Sequence, residues 1–451
     1  MIFCLPMKKS VELYTCLWGL LLCAGALLVN DWVLEALFCC PDGMPDHFRL
    51  NFRVYAAVMA AVGLALLYGR KKNMAQNGAL LLSSLVVIGL GTEIYLRLFD
   101  PQDKGRAGHE TLFELHQRWG WRFKAGAKGE FSAYEYRTPV AINRAGMRDR
   151  DYAPEPSGGK RRIAVLGDSF VSGLEVPMPE VFTEVMEEKL LPGTEVLNFG
   201  VNGFGPPQSY LLLRDMAIYY RPRLVVLVIY LGNDLDDISG VSDWLDGYRR
   251  PRPVMDGGRL RILPPVEGSP PYGEAPKKND ACCRLPQSHL ANLVERFTDN
   301  LKQDKYVIEV MPSELRFCGK NPDERMSEAY KLLIALLLDM DVFCRNHDAR
   351  LAVVAAPTLV QVYEKKYWRK IVAKYQLNAG DYDLAMPGRE LGKACATAGI
   401  PFLDLAPAMK SAAAEGKKLY YPRNQHWTPL GHAVVARRLA RFIEDELKNG
   451  N

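Results

Sequence analysis

Three short apolar runs, each stopping at a glycine-bearing turn, constrain the fold of this chain more than any other feature. Arg161 to Leu166 runs into Gly167-Asp168-Ser169-Phe170, Glu195 to Phe199 into Gly200-Val201-Asn202-Gly203, and Arg223 to Tyr230 into Gly232-Asn233-Asp234. The third is apolar almost without a break, as suits a strand covered on both faces of a parallel sheet. Leu351 to Ala355 and Ile400 to Leu403 have the same character. Together they predict five parallel strands with helices between them, a three-layer α/β/α sandwich. In an open sheet of this kind ligands bind at the carboxyl ends of the strands. The Gly-Asp-Ser turn would lift a serine hydroxyl out at that edge. The helix expected after it would favour developing negative charge at its N-terminus. A Gly-Asp-Ser tripeptide can equally be a plain connection between strand and helix, so the weight falls on the residues downstream of it.

Those residues come in the order that acyl transfer needs. Near the C-terminus the chain reads Tyr421-Pro422-Arg423-Asn424-Gln425-His426-Trp427-Thr428-Pro429-Leu430-Gly431-His432, ahead of a helix with Ala433 to Leu447 as its body. Ser169 would be the nucleophile and His426 the base that takes its proton. The Gly203 N–H, the Asn233 side-chain amide and the Ser169 N–H would hold the oxyanion of a tetrahedral intermediate. With these residues in place the chain resembles the SGNH (GDSL-type) hydrolase family. Its four blocks match Gly167-Asp168-Ser169, Asn198 through Gly203, Gly232-Asn233-Asp234 and Asn424 through His432. The resemblance covers about residues 161 to 446. It implies the flavodoxin-like version of the sandwich, activity on acetylated sugars, lipids and other small esters, and no metal or organic cofactor.

One block departs from the family pattern. An aspartate is usual three residues before the histidine, or two before it in some envelope-polysaccharide members; here Arg423 and Asn424 stand there. An amide can accept the imidazole N–H but brings no charge. In serine proteases, the matching Asp→Asn change lowers turnover by about four orders of magnitude. Three readings stay open. Asn424 or a backbone carbonyl orients the ring of a Ser–His dyad, a carboxylate elsewhere such as Asp404 substitutes, or the site binds more than it turns over. His432, at the start of the last helix, is read as a structural hydrogen-bonding residue and Asp168 as a brace for the turn. Asp234, Asp236 and Asp237 are read as solvated loop carboxylates, with no histidines near enough to suggest a metal site.

Residues 1–98 differ in composition. Leu13 to Val29, Val54 to Leu67 and Ala79 to Leu96 are apolar stretches, the first and third near the ~20 residues that cross a hydrocarbon core. The third carries Glu93 near its end, where it would meet the interface. A cleaved signal peptide would account for the first stretch only. Lys8 and Lys9 precede the first stretch, Arg70, Lys71 and Lys72 separate the second from the third, and the loop between the first two is acidic. Positive residues stay on the cytoplasmic side. Three transmembrane helices would therefore anchor the chain in the inner (cytoplasmic) membrane, with the serine domain in the periplasm or outside the cell. Cys282, Cys283 and Cys318 would then lie in an oxidising compartment, where a bridge to Cys318 is open. A net charge of +5, with no basic patch interleaved with aromatics, gives no reason to expect nucleic acid.

Residues 99–160 read as a connecting region. Trp119 to Ile142 suggests a β-hairpin with Gly126 and Gly129 in its turn. An insertion at about 236–321 separates the third and fourth core strands. Its Pro/Gly-rich part, Arg250 to Lys278, shows little helical pattern and would be either a lid over the site or a spacer. The leading expectation is a membrane-anchored serine ester hydrolase acting outside the cytoplasm on an acylated glycan or lipid. An envelope polysaccharide O-acetyltransferase with the same residues is the alternative, and it would need a separate membrane-bound protein to supply the acyl group. A non-catalytic glycan-binding scaffold is the third reading, supported only by the missing aspartate.

Overall fold

A computed structural model describes residues 73–99, 109–133, 135–239, 250–266, 288–300, 313–321 and 323–448, with a few positions between 16 and 67. The chain divides into two compact units, Met1–Lys104 with Lys277–Asp299, and Gly105–Pro276 with Asn300–Asn451. The second unit begins well upstream of residue 161, so the region read as a connector packs with the strands after it. The described residues 288–299, expected to belong to the insertion, fall in the first unit instead.

In the first unit, helix α1 spans Asn73–Phe99 and carries the third apolar stretch. Glu93 on α1 accepts hydrogen bonds from Ser288 Oγ and from the His289 and Leu290 N–H groups. It thereby caps the helix His289–Asn300 and satisfies N–H groups that a helix start leaves unpaired. The first two apolar stretches lie outside the described residues apart from isolated positions. Among the described residues no helix is long and apolar enough to cross a membrane.

The second unit opens with two hairpins. β1 (Phe113–His116) pairs antiparallel with β2 (Gly120–Phe123), and β3 (Lys128–Ala133) with β4 (Tyr136–Ala141). One hairpin was expected. Gly126, at φ 71, bends the chain between β2 and β3. Gly129 lies inside β3 opposite Val140, and the β3–β4 turn closes at Glu135. The alternation was real, but it belonged to more than one pair of strands.

Next come β5 (Arg161–Gly167), α2 (Ser169–Ser172), β6 (Thr194–Gly200), α3 (Pro206–Asp215), β7 (Leu224–Tyr230) and α4 (Asp234–Ser239). β8 (Arg252–Asp256) and β9 (Arg259–Leu263) form a hairpin inside the insertion. After it lie α5 (Glu324–Arg345), β10 (Arg350–Ala356), α6 (Met386–Ala398), β11 (Phe402–Asp404), α7 (Ala406–Ala414) and α8 (Pro429–Lys448). The five long-range strands form one parallel sheet in the order β11-β10-β7-β5-β6. All five are the expected ones.

The alternation of a strand explains the layers. Ala164, Leu166, Val225, Leu227, Leu351 and Val353 face one core with Leu213 of α3, Leu336 of α5 and Leu391 of α6. Ile163, Val165, Val226, Val228, Ala352 and Val354 face the other with Phe182, Met409 of α7 and Val435 of α8. Helices therefore cover both faces. The strand order reverses between β5 and β7, each of which has β6 or β10 as its other neighbour. That switch point is where an α/β sheet opens a crevice.

Two buried polar features run against simple strand patterning. Arg162, the second residue of the basic pair that opens β5, is 1 % exposed and bonds the Glu195 carboxylate at 2.5 Å and 2.9 Å. Asp234, Asp236 and Asp237, expected to be solvated, are all buried. Asp237 pairs with Arg250 at 2.8 Å, Asp236 with Arg316 at 3.0 Å, and Asp234 accepts the Tyr230 N–H at 2.8 Å. The arginine partners lie in the insertion, 13 and 80 residues along the chain from the carboxylates they reach.

Candidate active site

β5 ends at Gly167, whose φ of 155° places it where side chains are disfavoured. A Cβ there would lie 2.6 Å from Val171 Cγ2 and 3.0 Å from the Val228 carbonyl. Asp168 then caps α2 by accepting the Phe170 N–H at 2.9 Å, the bracing role expected of it. Burial, together with the Asp237 and Glu175 charges, pushes its carboxyl up to about 7. α2 is a single turn, ended by Gly173 at φ 59. The expected helix dipole is therefore small, and the local N–H groups carry what field there is. Gly200, ending β6, lies against that turn: a Cβ on it would sit 2.4 Å from the Ser172 nitrogen. Asn198 fastens the two segments by donating to the Val171 carbonyl at 2.8 Å.

Ser169 Oγ lies 2.6 Å from His426 Nε2. On the other side of the ring, His426 Nδ1 is 2.6 Å from Asn424 Oδ1 and 3.2 Å from the Asn424 carbonyl. The Asn424 amide nitrogen donates to Tyr136 Oη at 3.1 Å, so its oxygen is the atom turned to the imidazole. With Nδ1 protonated toward Asn424, Nε2 is left as the acceptor for the Ser169 hydroxyl proton. That is the tautomer a general base needs.

The loop carrying His426 is held from outside. Glu135, at the β3–β4 turn, accepts the Arg423 N–H at 3.1 Å and the Asn424 N–H at 2.6 Å. Burial raises the Glu135 carboxyl, and those N–H bonds act against the rise. Gln425 takes the left-handed conformation at φ 66, rare for a residue with a side chain. Phe170 lies over the imidazole, ring centroids 4.8 Å apart and planes 24° apart.

Of the residues expected to form the oxyanion hole, Gly203 is buried in a turn at φ 76. The turn is pinned by Trp121 Nε1 donating to the Asn202 carbonyl at 2.9 Å. Asn233 lies at the carboxyl end of β7, and its amide donates to Asp237 Oδ2 at 2.8 Å. Asp237 in turn holds Arg250, so the start of the insertion is tied to the strand end that carries Asn233.

Asp404 does not take the place of the missing aspartate. Its carboxylate accepts the Ala406 N–H at 2.8 Å and so caps the start of α7. The carboxylate beside the ring is Glu175, whose Oε1 lies 3.7 Å from His426 Nδ1 and which is 2 % exposed. Sequence reasoning missed Glu175, Glu135 and Tyr136. None belongs to a motif, and Glu135 and Tyr136 lie in the region taken for a connector.

His432 has the structural role expected of it. It is buried, and Nδ1 accepts the Phe182 N–H at 3.3 Å. Burial, then the charges of Arg148 and His426, hold its imidazole down at about 3. An unfolded histidine takes up a proton near pH 6.5. Below that pH the unfolded state binds a proton that the folded state refuses, so stability present above pH 6.5 is lost on acidification. By pH 4.5 the loss is about 2–3 kcal/mol. Unfolding followed between pH 7 and 4.5 is expected to show that slope in the native chain. His432→Gln should flatten it, whatever its effect at neutral pH.

Cys318 is buried, while Cys282 and Cys283 lie outside the described residues. Among the described residues no cluster of three or more His, Cys, Asp or Glu side chains could hold a metal ion.

Residues 333–451 match a family model described as an SGNH hydrolase-like domain, acetyltransferase AlgX. The matched segment is less than half of the chain; it includes Asn424 and His426 and leaves Ser169 upstream. No curated protein matches the sequence. Among solved structures, a lipase/acylhydrolase from Enterococcus faecalis is similar at 13 % identity and a TM-score of 0.33, over 63 % of this chain and 96 % of that one. A member of the lipolytic G-D-S-L family from Veillonella parvula is similar at 12 % identity and a TM-score of 0.31, over 61 % and 94 %. A catalytic mutant of Axe2, an acetylxylan esterase from Geobacillus stearothermophilus, is similar at 12 % identity and a TM-score of 0.33, over 63 % and 94 %. Over residues 333–451 the chain is thus similar to an SGNH-type hydrolase or acetyltransferase domain, which supports an enzyme acting on ester bonds.

Proposed function

We propose that the protein is a membrane-anchored serine esterase acting outside the cytoplasm on an acylated carbohydrate or lipid. The observation that carries this reading is the Ser169 hydroxyl, 2.6 Å from a histidine nitrogen on a ring turned by Asn424. Ser169 Oγ attacks the ester carbonyl as its proton passes to His426 Nε2. The alcohol leaves with that proton, and water, deprotonated by the same nitrogen, releases the acyl group from Ser169. The Ser169 and Gly203 N–H groups and the Asn233 amide hold the negative oxygen at each stage. Asn424 does the orienting work of the absent aspartate, as asparagine does beside the histidine of papain-like cysteine proteases. Support for the membrane anchor is the apolar sequence of residues 1–98 and the lysines and arginines flanking it. The periplasmic or extracellular location rests on the same residues.

A second reading, O-acetyl transfer to an envelope polysaccharide, is favoured by the acetyltransferase description of the family model over 333–451. A sugar hydroxyl replaces water in the second half-reaction, and a membrane-bound partner supplies the acetyl group. The hydrogen-bonded Ser169–His426 pair gives no support to a non-catalytic scaffold. The full-length protein in detergent, given p-nitrophenyl acetate with and without a soluble oligosaccharide, separates the readings. Acetate released at the same rate with or without the sugar supports the esterase. Acetyl groups accumulating on the sugar support the transferase. No ester consumption by folded protein under either condition overturns both.

A further inference from the structure

The aspartate absent before His426 performs two tasks in a serine triad: it accepts the Nδ1–H, and it stabilises the imidazolium that forms when Nε2 takes the serine proton. Asn424 can do only the first. We propose that Glu175 does the second, so that the work of one aspartate is divided between an amide in contact with the ring and a buried carboxylate beside it. This rests on the reading of Ser169 and His426 as nucleophile and base.

The geometry carries the assignment. Glu175 Oε1 lies 3.7 Å from His426 Nδ1, beyond a hydrogen bond to a proton already given to Asn424 Oδ1, yet close enough for strong attraction to a cationic ring. The side chain is 2 % exposed, so little water screens it. Its backbone is fixed independently of the histidine loop. Thr138 Oγ1 on β4 donates to the Glu175 carbonyl at 3.0 Å. The Arg148 guanidinium, itself 3 % exposed, grips the carbonyls of Ser172, Gly173 and Val176 on either side. That clamp holds the carboxylate on the Nδ1 edge of the ring. Glu175 is thus a positioning and charge-balancing residue acting through His426, without touching the reacting atoms.

Other charges reach the same space. Arg148, Asp168 and Tyr421 interact with Glu175, and His432 with His426. Glu135 and Tyr136 border the loop through Arg423 and Asn424. Of the carboxylates in this set, Glu175 is the one within ion-pair distance of the ring, so neutralising it should move the histidine most.

The test is titration of the His426 ring in the full-length chain by NMR of histidine labelled at Cε1, the signal assigned with His426→Gln. Glu175→Gln is expected to lower the His426 pKa by about one unit. It should also lower kcat for p-nitrophenyl acetate by roughly tenfold or more, with KM little changed. The acid limb of the pH–rate profile should move down with the ring. Glu175→Asp, which keeps the charge and controls for folding beside buried Arg148, should leave the ring within a few tenths of a unit. Asn424→Asp in the Glu175→Gln background should restore both the pKa and the rate by putting charge back in contact with Nδ1. An unchanged His426 pKa in folded Glu175→Gln would overturn the proposal. So would a double variant as slow as the single one. Because the titration needs no turnover, it separates failure of this assignment from failure of the nucleophile assignment, which would leave the ring shift intact and the rate indifferent to Ser169.

Discussion

Ser169→Ala should lower turnover of p-nitrophenyl acetate by roughly four orders of magnitude or more, with the fold unchanged. Losses of that size accompany removal of a serine nucleophile from a functioning triad, and what survives comes from the oxyanion hole and binding. The substitution deletes one oxygen whose partner is His426 Nε2 at 2.6 Å, and that nitrogen can turn to water once the hydroxyl is gone. Its packing cost is therefore small. A fall of less than tenfold, with thermal unfolding unchanged, would mean that ester cleavage takes place elsewhere or that another group is the nucleophile.

The second large effect is on stability. Glu195→Ala should destabilise the unit that contains the sheet by about 3–5 kcal/mol, the usual cost of leaving one partner of a buried ion pair without the other. Arg162 and Glu195 stand opposite each other on β5 and β6, 1 % and 4 % exposed. The guanidinium also donates to the carbonyls of Ala153, Pro154 and Tyr220, so it cannot swing out to water without breaking several further bonds. The unfolding temperature of that unit should fall by on the order of 10 °C. A change of a degree or two would show that the carbonyls alone satisfy the arginine. The pair lies at the amino end of the strands, opposite the site, so specific activity of the folded fraction should not change.

These two expectations mark what could be read from the residues and what could not. The parallel strands were legible because a strand covered on both faces needs apolar residues at every position, and β5, β6 and β7 are bounded by glycine turns that stop them sharply. The positions of Ser169, Gly203, Asn233 and His426 were legible because each lies just after a strand end or shortly before a helix, where local sequence marks the place. The order of the strands brings the ends of β5 and β7 together at the switch point.

The charged interior was not legible. Glu175 lies 251 residues before His426 in the sequence yet 3.7 Å from its ring, and Glu135 reaches the same loop from the β3–β4 hairpin. No periodicity or spacing records contacts of that length. Asp236 and Asp237 look like surface residues until Arg316 and Arg250 are seen beside them, because a carboxylate goes inside only with a partner. The β8–β9 hairpin had a local signal that went unread. Asp256 is followed by Gly257 and Gly258, at φ 56 and 78, the two positive-φ positions that a tight hairpin turn demands. Treating the stretch as merely Pro/Gly-rich hid it. Asn424, one of the groups expected to orient the ring, has its Oδ1 2.6 Å from His426 Nδ1. The carboxylate beside the ring is Glu175, just after α2, whereas Asp404, at a strand end, caps α7.

The central claim is that Ser169, activated by His426, is the nucleophile of an ester-acting enzyme. Labelling the full-length protein with a fluorophosphonate and mapping the adduct by peptide mass spectrometry tests it most directly, since the reagent reports an activated serine whatever the natural acyl group or acceptor. The account predicts a single adduct on Ser169, lost in His426→Ala and formed faster as pH rises through the histidine titration. Folded protein that takes up no label, or takes it up on another residue, would contradict it.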